Sequence, residues 1–172
     1  MQRIVLNTGD GKGKTTASLG MVLRAVGHGQ KVLFAQFIKT DTSVGEVNAL
    51  KSLEGVTFLQ DGLGFVNPEN AQTFEDHSSV ARGFLRQLIN YADLNTYDMI
   101  VLDEVNTACG LGLFTIGDVL HLISRMVDVP VIVLTGRDAP PELVDLADTV
   151  TEMRCVKHAY FQGVSAQKGV EC

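Results

Sequence analysis

Arg3-Ile4-Val5-Leu6-Asn7-Thr8-Gly9-Asp10-Gly11-Lys12-Gly13-Lys14-Thr15-Thr16 decides the fold of this 172-residue chain. The apolar run Arg3–Leu6 is predicted as a strand, the glycine-rich stretch as a turn, and the residues from Lys14 onward as a helix. Phosphate binding accounts for each choice in the turn. Glycines permit positive φ and let backbone N–H groups converge on an anion. A helix start adds unsatisfied donors and the positive end of its dipole. Lys14 supplies a point charge for phosphate oxygens, and the Thr15 hydroxyl suits Mg²⁺. The general pattern G-x-x-x-x-G-K-[ST] is met by Gly13-Lys14-Thr15 but not at its start, where Thr8 stands and Gly9 follows one position later. A glycine turn with a purely structural role has no need of Lys-Thr in that register.

Outward from this loop, short β-branched runs alternate with helical patterns. Lys31–Phe37, Val56–Leu59, Met99–Asp103 and Val131–Leu134 are predicted as further strands, with a weaker sixth at Thr149–Met153. Leu19, Val22, Leu23 and Val26 recur at helical spacing, and Gly27 with Gly29 supplies the stop. Ala81, Phe84, Leu85, Leu88, Ile89 and Ala92 repeat the pattern, as do Ile116, Val119, Leu120, Ile123 and Val127. Leu143, Val144 and Ala147 form a shorter version behind Pro140-Pro141, where prolines suit a helix start. Almost continuously apolar strands alternating with helices predict an α/β fold: a mostly parallel central sheet of about six strands with helices on both faces. Residues 1–172 read as a single domain, without repeats or a composition break. The least regular stretch, Gln60–Asn70, is placed where such folds bind ligands, beyond the carboxyl ends of the strands.

Composition narrows the function. Hydrophobic residues make up 45% and charged residues 20%, which is apolar enough to fold. Val129–Leu134 is strand-sized, far short of a membrane span of ~18 residues. The residues after Met1 have no signal-peptide layout, so a cytoplasmic protein without a membrane anchor is expected. Fourteen Lys and Arg against twenty Asp and Glu leave a formal charge of −6, a poor match for nucleic acid. Any bound anion needs a local site rather than the overall field. Cys109, Cys155 and Cys172 give neither a disulfide framework nor a zinc spacing and fit a reducing compartment.

Phosphate loops are usually paired with an acidic strand end that reaches the metal. Met99-Ile100-Val101-Leu102-Asp103-Glu104 is that element here. Strand alternation points the two carboxylates to opposite sides, so they should not share one role; if the strand ends at Asp103, either reaches the ion. Arg137, after Leu134-Thr135-Gly136, is suited to fork onto phosphate oxygens, and spacing alone equally allows a surface role. Arg24 lies away from the apolar stripe of the first helix and by itself reads as solvent-exposed. His28, His77, His121 and His158 have no metal-ligand spacing and are expected at the surface or as caps. Cys155, flanked by Arg154 and near Lys157, reads as a bystander thiol. The residues amount to an Mg-nucleotide site with no evident protein nucleophile.

Thr8–Thr16 resembles the variant phosphate loop of the corrinoid adenosyltransferases, the ATP:cob(I)alamin type of bacterial cobalamin synthesis and salvage. The resemblance continues through Arg24–Gly29, Gln36-Phe37-Ile38-Lys39, Gly62-Leu63-Gly64-Phe65 and Leu102–Asn106. It resumes at Thr135-Gly136-Arg137, Val150–Met153, Lys157–Tyr160 and Ala166–Glu171. It implies transfer of the 5′-deoxyadenosyl group of ATP to the Co(I) of a corrinoid, with release of tripolyphosphate. The cobalt itself would attack the ribose C5′, so no protein nucleophile is needed. It further implies that ATP lies reversed along the loop, held by Gly9, Asp10, Gly11, Lys12, Gly13, Lys14, Thr15 and Thr16. Lys14 and Arg137 would act on the leaving charge with help from Arg24, and Mg²⁺ would be bound by Thr15 with Glu104 or Asp103. Gly64, Phe65 and Asn67 would approach the corrin. Asn67 stands where the family pattern has Trp, and the chain has no Trp at all, which leaves Phe65 as the aromatic of that loop. An external reductase and a homodimer are also implied.

The rival readings are an ATPase or small-molecule kinase on the same scaffold and a nucleotide-binding module without chemistry. A kinase should carry a lid or an acceptor base, and neither is evident. Under the transferase reading, Lys14→Ala is expected to lower the transfer rate by about 10²–10³, the cost of one lost charge contact in a dry site. Turnover rates with circular dichroism as a fold control check this; activity within a few-fold of the parent removes Lys14 from the chemistry.

Overall fold

The computed structural model describes residues 2–94 and 96–171, so Cys172 lies outside the described residues. In chain order the elements are β1 (Arg3–Thr8), α1 (Lys14–Gly27), β2 (Val32–Phe37), α2 (Gly45–Ser52), β3 (Val56–Asp61), α3 (Ala71–Leu94) and β4 (Met99–Asp103). They continue with α4 (Val105–Gly110), α5 (Ile116–Ser124), β5 (Val131–Thr135), α6 (Pro141–Leu146), β6 (Thr149–Glu152) and a 3₁₀ turn at Ala159–Gln162. The six strands form one sheet in the order β3-β2-β4-β5-β1-β6, with every pairing parallel.

Strand alternation sorts side chains into two cores. Leu33, Ala35 and Phe37 face one side with Leu6, Leu102 and Leu134, covered by Phe84 and Leu88 of α3 and Val119 and Leu122 of α5. Val32 and Phe34 face the other side with Val101 and Val133, covered by Val22 and Ala25 of α1 and Leu50 of α2. This is why the central strands are apolar without a break: both faces are buried. Phe37 packs edge-on against Phe84 and Phe114, at ring separations of 4.9 and 5.6 Å. β6, at the sheet edge, is exposed along its whole length.

The structure corrects several boundaries. The buried side of α1 is Ser18, Val22 and Ala25, and Leu23, expected in the apolar stripe, is 63% exposed. α5 stops at Ser124, so Val127 lies beyond it and is exposed, while Leu122 and Met126 take the buried places. α2 and α4 were not legible, being short and with little period of their own. His77, expected at the surface or as a cap, is buried in α3, whereas His28 does cap α1. Burial pushes the Cys109 thiol up, aided by Glu142 and Asp118, while Cys155 is exposed. No helix among the described residues is long and apolar enough to cross a membrane.

α5 is started by a reciprocal cap: Thr115 Oγ1 accepts the Asp118 N–H, and the Asp118 carboxylate accepts the Thr115 N–H at 2.8 Å. The Thr115 hydroxyl and N–H hold the Asp118 carboxyl below its ordinary value. Replacing Thr115 by Ala is expected to cost about 1 kcal/mol. Because the folded-state pKa is depressed, the carboxylate's contribution is present at neutral pH and lost as pH falls through that value. Urea midpoints of the parent and Asp118→Asn should therefore converge in acid.

Candidate active site

The loop between β1 and α1 forms the floor of a cavity of about 640 Å³. Asp10 through Thr16 line it, facing Lys39, Glu104 and Arg137 from the neighbouring strand ends and loops, Glu46 from the start of α2 and Thr107 from α4. Gly13, at φ 117°, caps α1 and leaves the helix start open toward the cavity. Gly9, expected among the nucleotide-binding residues, lies under the loop and outside the lining. Gly11 is a glycine for a reason other than phosphate: a Cβ there would lie 2.6 Å from the Met153 carbonyl, which accepts the Gly11 N–H.

Lys14 is nearly buried and donates to the carbonyls of Gly9 and Gly11. Burial first, then the Arg137 guanidinium, hold its ammonium below the ordinary lysine range, against the opposing pull of Glu104, Asp10 and Asp103. An anion placed here would relieve both penalties, which is what a phosphate site requires. Arg137 is half-exposed at the rim with Nε 3.8 Å from Asp10. Lys12 donates to the Val170 carbonyl and lies 3.9 Å from Glu171. The last described residues of the chain thus form a wall of the cavity, together with His158 and Gly169.

The two carboxylates left open by the sequence take different places. β4 ends at Asp103, and Glu104 adopts the left-handed conformation at φ 63°, which turns its side chain into the cavity wall. Asp103 is fully buried and does not line the cavity. Its Oδ1 accepts from Thr135 Oγ1 at 2.6 Å, and its Oδ2 from Gln36 Nε2 at 2.9 Å and Lys39 Nζ at 3.3 Å. Glu104 Oε2 accepts from Thr107 Oγ1 at 2.6 Å, and the same hydroxyl accepts the Arg137 N–H at 2.9 Å. Thr107 therefore braces the Arg137 loop against the carboxylate that faces the cavity.

Lys39 is the residue the sequence reading passed over. Its ammonium lies 3.2 Å from Thr15 Oγ1, 3.3 Å from Asp103 Oδ2 and 3.9 Å from Glu104 Oε1. Ile38 before it sits at φ 67°, a conformation costing a β-branched residue about 1–3 kcal/mol. The strain is held from the Gly62–Asn67 loop: Gly64 N–H donates to the Ile38 carbonyl at 2.8 Å. A Cβ on Gly62 would come within 2.4 Å of that same carbonyl. A signal was available in Gln36, a polar residue in an otherwise apolar strand, and in a lysine just past its end. The wall at residues 158 and 169–171 had no period to reveal it.

Besides Gly9 and Asp103, four residues singled out in the sequence are not brought to the cavity. Arg24 is exposed on the last turn of α1, about 15 Å along the helix from Lys14 at 1.5 Å per residue, and is not in the lining. Gly64, Phe65 and Asn67 also lie outside the lining, on the loop that packs against Ile38. In that loop Val66 is buried in the core while Phe65 is 91% exposed, and the Asn67 side-chain Oδ1 accepts the Glu69 N–H in a local turn.

The chain matches the family described as ATP:corrinoid adenosyltransferase BtuR/CobO/CobP over residues 1–172. It is 39% identical to the corrinoid adenosyltransferase of Pseudomonas aeruginosa, covering 98% of this chain and 82% of that one. The corrinoid adenosyltransferase of Escherichia coli K12 is 36% identical, over 98% of this chain and 84% of its own. Among solved structures, the KaiC-like protein PH0186 of Pyrococcus horikoshii OT3 superposes with a TM-score of 0.57 at 16% identity, over 89% of this chain and 71% of that one. The flagellar accessory protein FlaH of Methanocaldococcus jannaschii gives 0.52 at 14%, over 88% and 70%. These two likenesses establish the fold alone. Together, the phosphate loop, the carboxylate beside it and a family match running the length of the chain make this protein a member of the ATP:corrinoid adenosyltransferase family.

Proposed function

We propose that this protein transfers the 5′-deoxyadenosyl group of ATP to the Co(I) of a corrinoid, with the phosphate loop holding the triphosphate and the Gly62–Asn67 loop meeting the corrin. The observation that carries the reading is the contact between the two. The loop bearing the outward Phe65 packs through Gly64 onto Ile38, and the next residue, Lys39, lines the phosphate cavity. An exposed aromatic is costly in water and suits the flat apolar face of a macrocycle. Val66 anchors the loop in the core, so Phe65 is free of that task.

In this reading Co(I) forms a bond to the ribose C5′ as the C5′–O bond breaks, and the electron pair leaves on tripolyphosphate. The chain's part is to hold C5′ in line and to neutralise the charge that builds on the departing oxygens. Lys14, Lys12 and Arg137 do the second, from positions already braced by the loop carbonyls, Glu171 and Asp10. Arg24, outside the cavity, has no part in it.

Thr15 and Glu104 are the pair we assign to Mg²⁺. Both line the cavity, and a hydroxyl with one carboxylate is the oxygen-rich, incomplete set that Mg²⁺ takes when phosphates fill the rest. Among the described residues no three His, Cys, Asp or Glu are grouped to hold a metal unaided. The ion would supply further charge neutralisation at the phosphates. Asp103, spent on three hydrogen bonds, positions Lys39 and the strand ends instead. An external electron donor for cobalt and assembly as a homodimer belong to the same reading. Val156, Tyr160 and Phe161, all strongly exposed, are the apolar surface a dimer would cover.

Incubation with ATP, Mg²⁺ and chemically reduced cobalamin tests the whole: a light-sensitive Co–C product with tripolyphosphate is expected, whereas ADP indicates a kinase or ATPase and no product a binding module. Glu104→Gln should raise the Mg²⁺ midpoint of that reaction about tenfold or more at unchanged stability. Asp103→Asn should instead lower the melting temperature, because a buried network loses its charge. Equal Mg²⁺ midpoints in the parent and Glu104→Gln would move the metal elsewhere. Phe65 is read as a wedge that fills the place of the cobalt's lower axial ligand and so eases reduction of Co(II), and Phe65→Ala is therefore expected to impair adenosylation from Co(II) with a reductant much more than from preformed Co(I). Spectra of the Co(II) corrinoid bound with ATP decide that point: an equal four-coordinate signal in Phe65→Ala excludes Phe65 as the group that displaces the lower ligand.

A further inference from the structure

We propose that Lys39 is a built-in cation that keeps the metal position of this site closed to free divalent ions and yields it only to an ion arriving on a polyphosphate. The inference rests on the Thr15–Glu104 metal reading above. The Lys39 ammonium already lies among Thr15 Oγ1, Asp103 Oδ2 and Glu104 Oε1, at 3.2, 3.3 and 3.9 Å. An ion coordinated by Thr15 and Glu104 must sit about 2.0–2.1 Å from each oxygen. That places it within a few ångströms of the ammonium, a like charge in a half-buried setting. Both cannot stay.

What decides the competition is where the ammonium goes. A bare ion displaces the Lys39 ammonium from the Asp103 and Glu104 carboxylates and offers it no other anion, so the lysine gives up its ion pairs without replacement. A triphosphate on the Gly11–Thr15 loop offers new anionic oxygens beside the same cavity, within reach of a lysine's four-carbon stem. The ammonium then exchanges one set of anions for another. The backbone beneath it is fixed: Lys39 N–H donates to the Phe37 carbonyl at 2.7 Å, and the Ile38 carbonyl accepts from Gly64. Only the side chain has to move. Lys39 is in this sense a specificity residue, selecting metal–polyphosphate over metal.

Mn²⁺ serves as the probe, its binding followed by electron paramagnetic resonance on the purified protein without nucleotide. The parent should bind Mn²⁺ weakly and Lys39→Met at least about tenfold more tightly, since a like charge has gone. Lys39→Arg should stay as weak as the parent. Lys39→Gln keeps a donor for Asp103 without the charge and repeats the gain if Lys39→Met is unstable in a melting control. Tight Mn²⁺ binding by the parent overturns the proposal without recourse to any variant. If a folded Lys39→Met or Lys39→Gln gains nothing while Glu104→Gln still shifts the Mg²⁺ midpoint with ATP, the role of Lys39 fails and the metal reading stands. If the gain in Lys39→Met persists in Lys39→Met/Glu104→Gln, the metal position itself is misassigned.

Discussion

A single buried carboxylate organises this site. Asp103 is removed from water at the end of β4, which is tolerable only because Thr135, Gln36 and Lys39 all donate to it. Those donors come from the ends of β5 and β2 and from the turn after β2, so one charge ties three adjacent strands together at the edge that faces the nucleotide loop. The register makes this possible, for Gln36 stands directly opposite Asp103 in the parallel ladder. Gln60 of β3 extends the chain of bonds by donating to Gln36 at 3.0 Å. Removing a neutral donor from such a set leaves a buried acceptor short of a partner, at a typical cost of about 1–3 kcal/mol.

From that fixed point the other functional groups acquire their directions. Thr135 Oγ1, which donates to Asp103, also accepts the Glu104 N–H at 3.0 Å, and so holds the left-handed residue whose carboxylate enters the cavity. Lys39 is drawn inward by Asp103, and the strained Ile38 before it is clamped by the Gly62–Gly64 backbone. The nucleotide cavity and the loop of Phe65 are therefore joined through two consecutive residues. In the proposed reading, two substrates that meet at one bond are served by walls that share a backbone.

The opposite wall comes from the end of the chain. Met153, just past β6, accepts the Gly11 N–H and donates its own to the Thr8 carbonyl, pressing the phosphate loop from outside. Val170 and Glu171 then bond Lys12, across 158 residues of sequence in the case of Val170. β6 is an exposed edge strand with little apolar area of its own. Its place in the sheet depends on pairing with β1, and its position there brings the C-terminal segment over the loop.

The sequence by itself determined the fold class, the strands, the phosphate loop and the family, because each is a local pattern. A β-branched run, a helical period and a glycine loop ending in Lys-Thr are written in neighbouring residues. It left Asp103 and Glu104 unresolved because their division of labour hangs on one backbone angle, φ 63° at Glu104, that no periodicity encodes. It singled out the segments of Lys39 and of residues 158 and 169–171 but gave them no role, because their importance is a matter of which strand ends and which segments converge. Arg24 is exposed on α1 as the residues alone implied, and it lies away from the cavity in which the resemblance gave it a part. Those questions belong to tertiary structure for one physical reason: a charge is functional here only through the groups that surround it, and those groups come from distant parts of the chain.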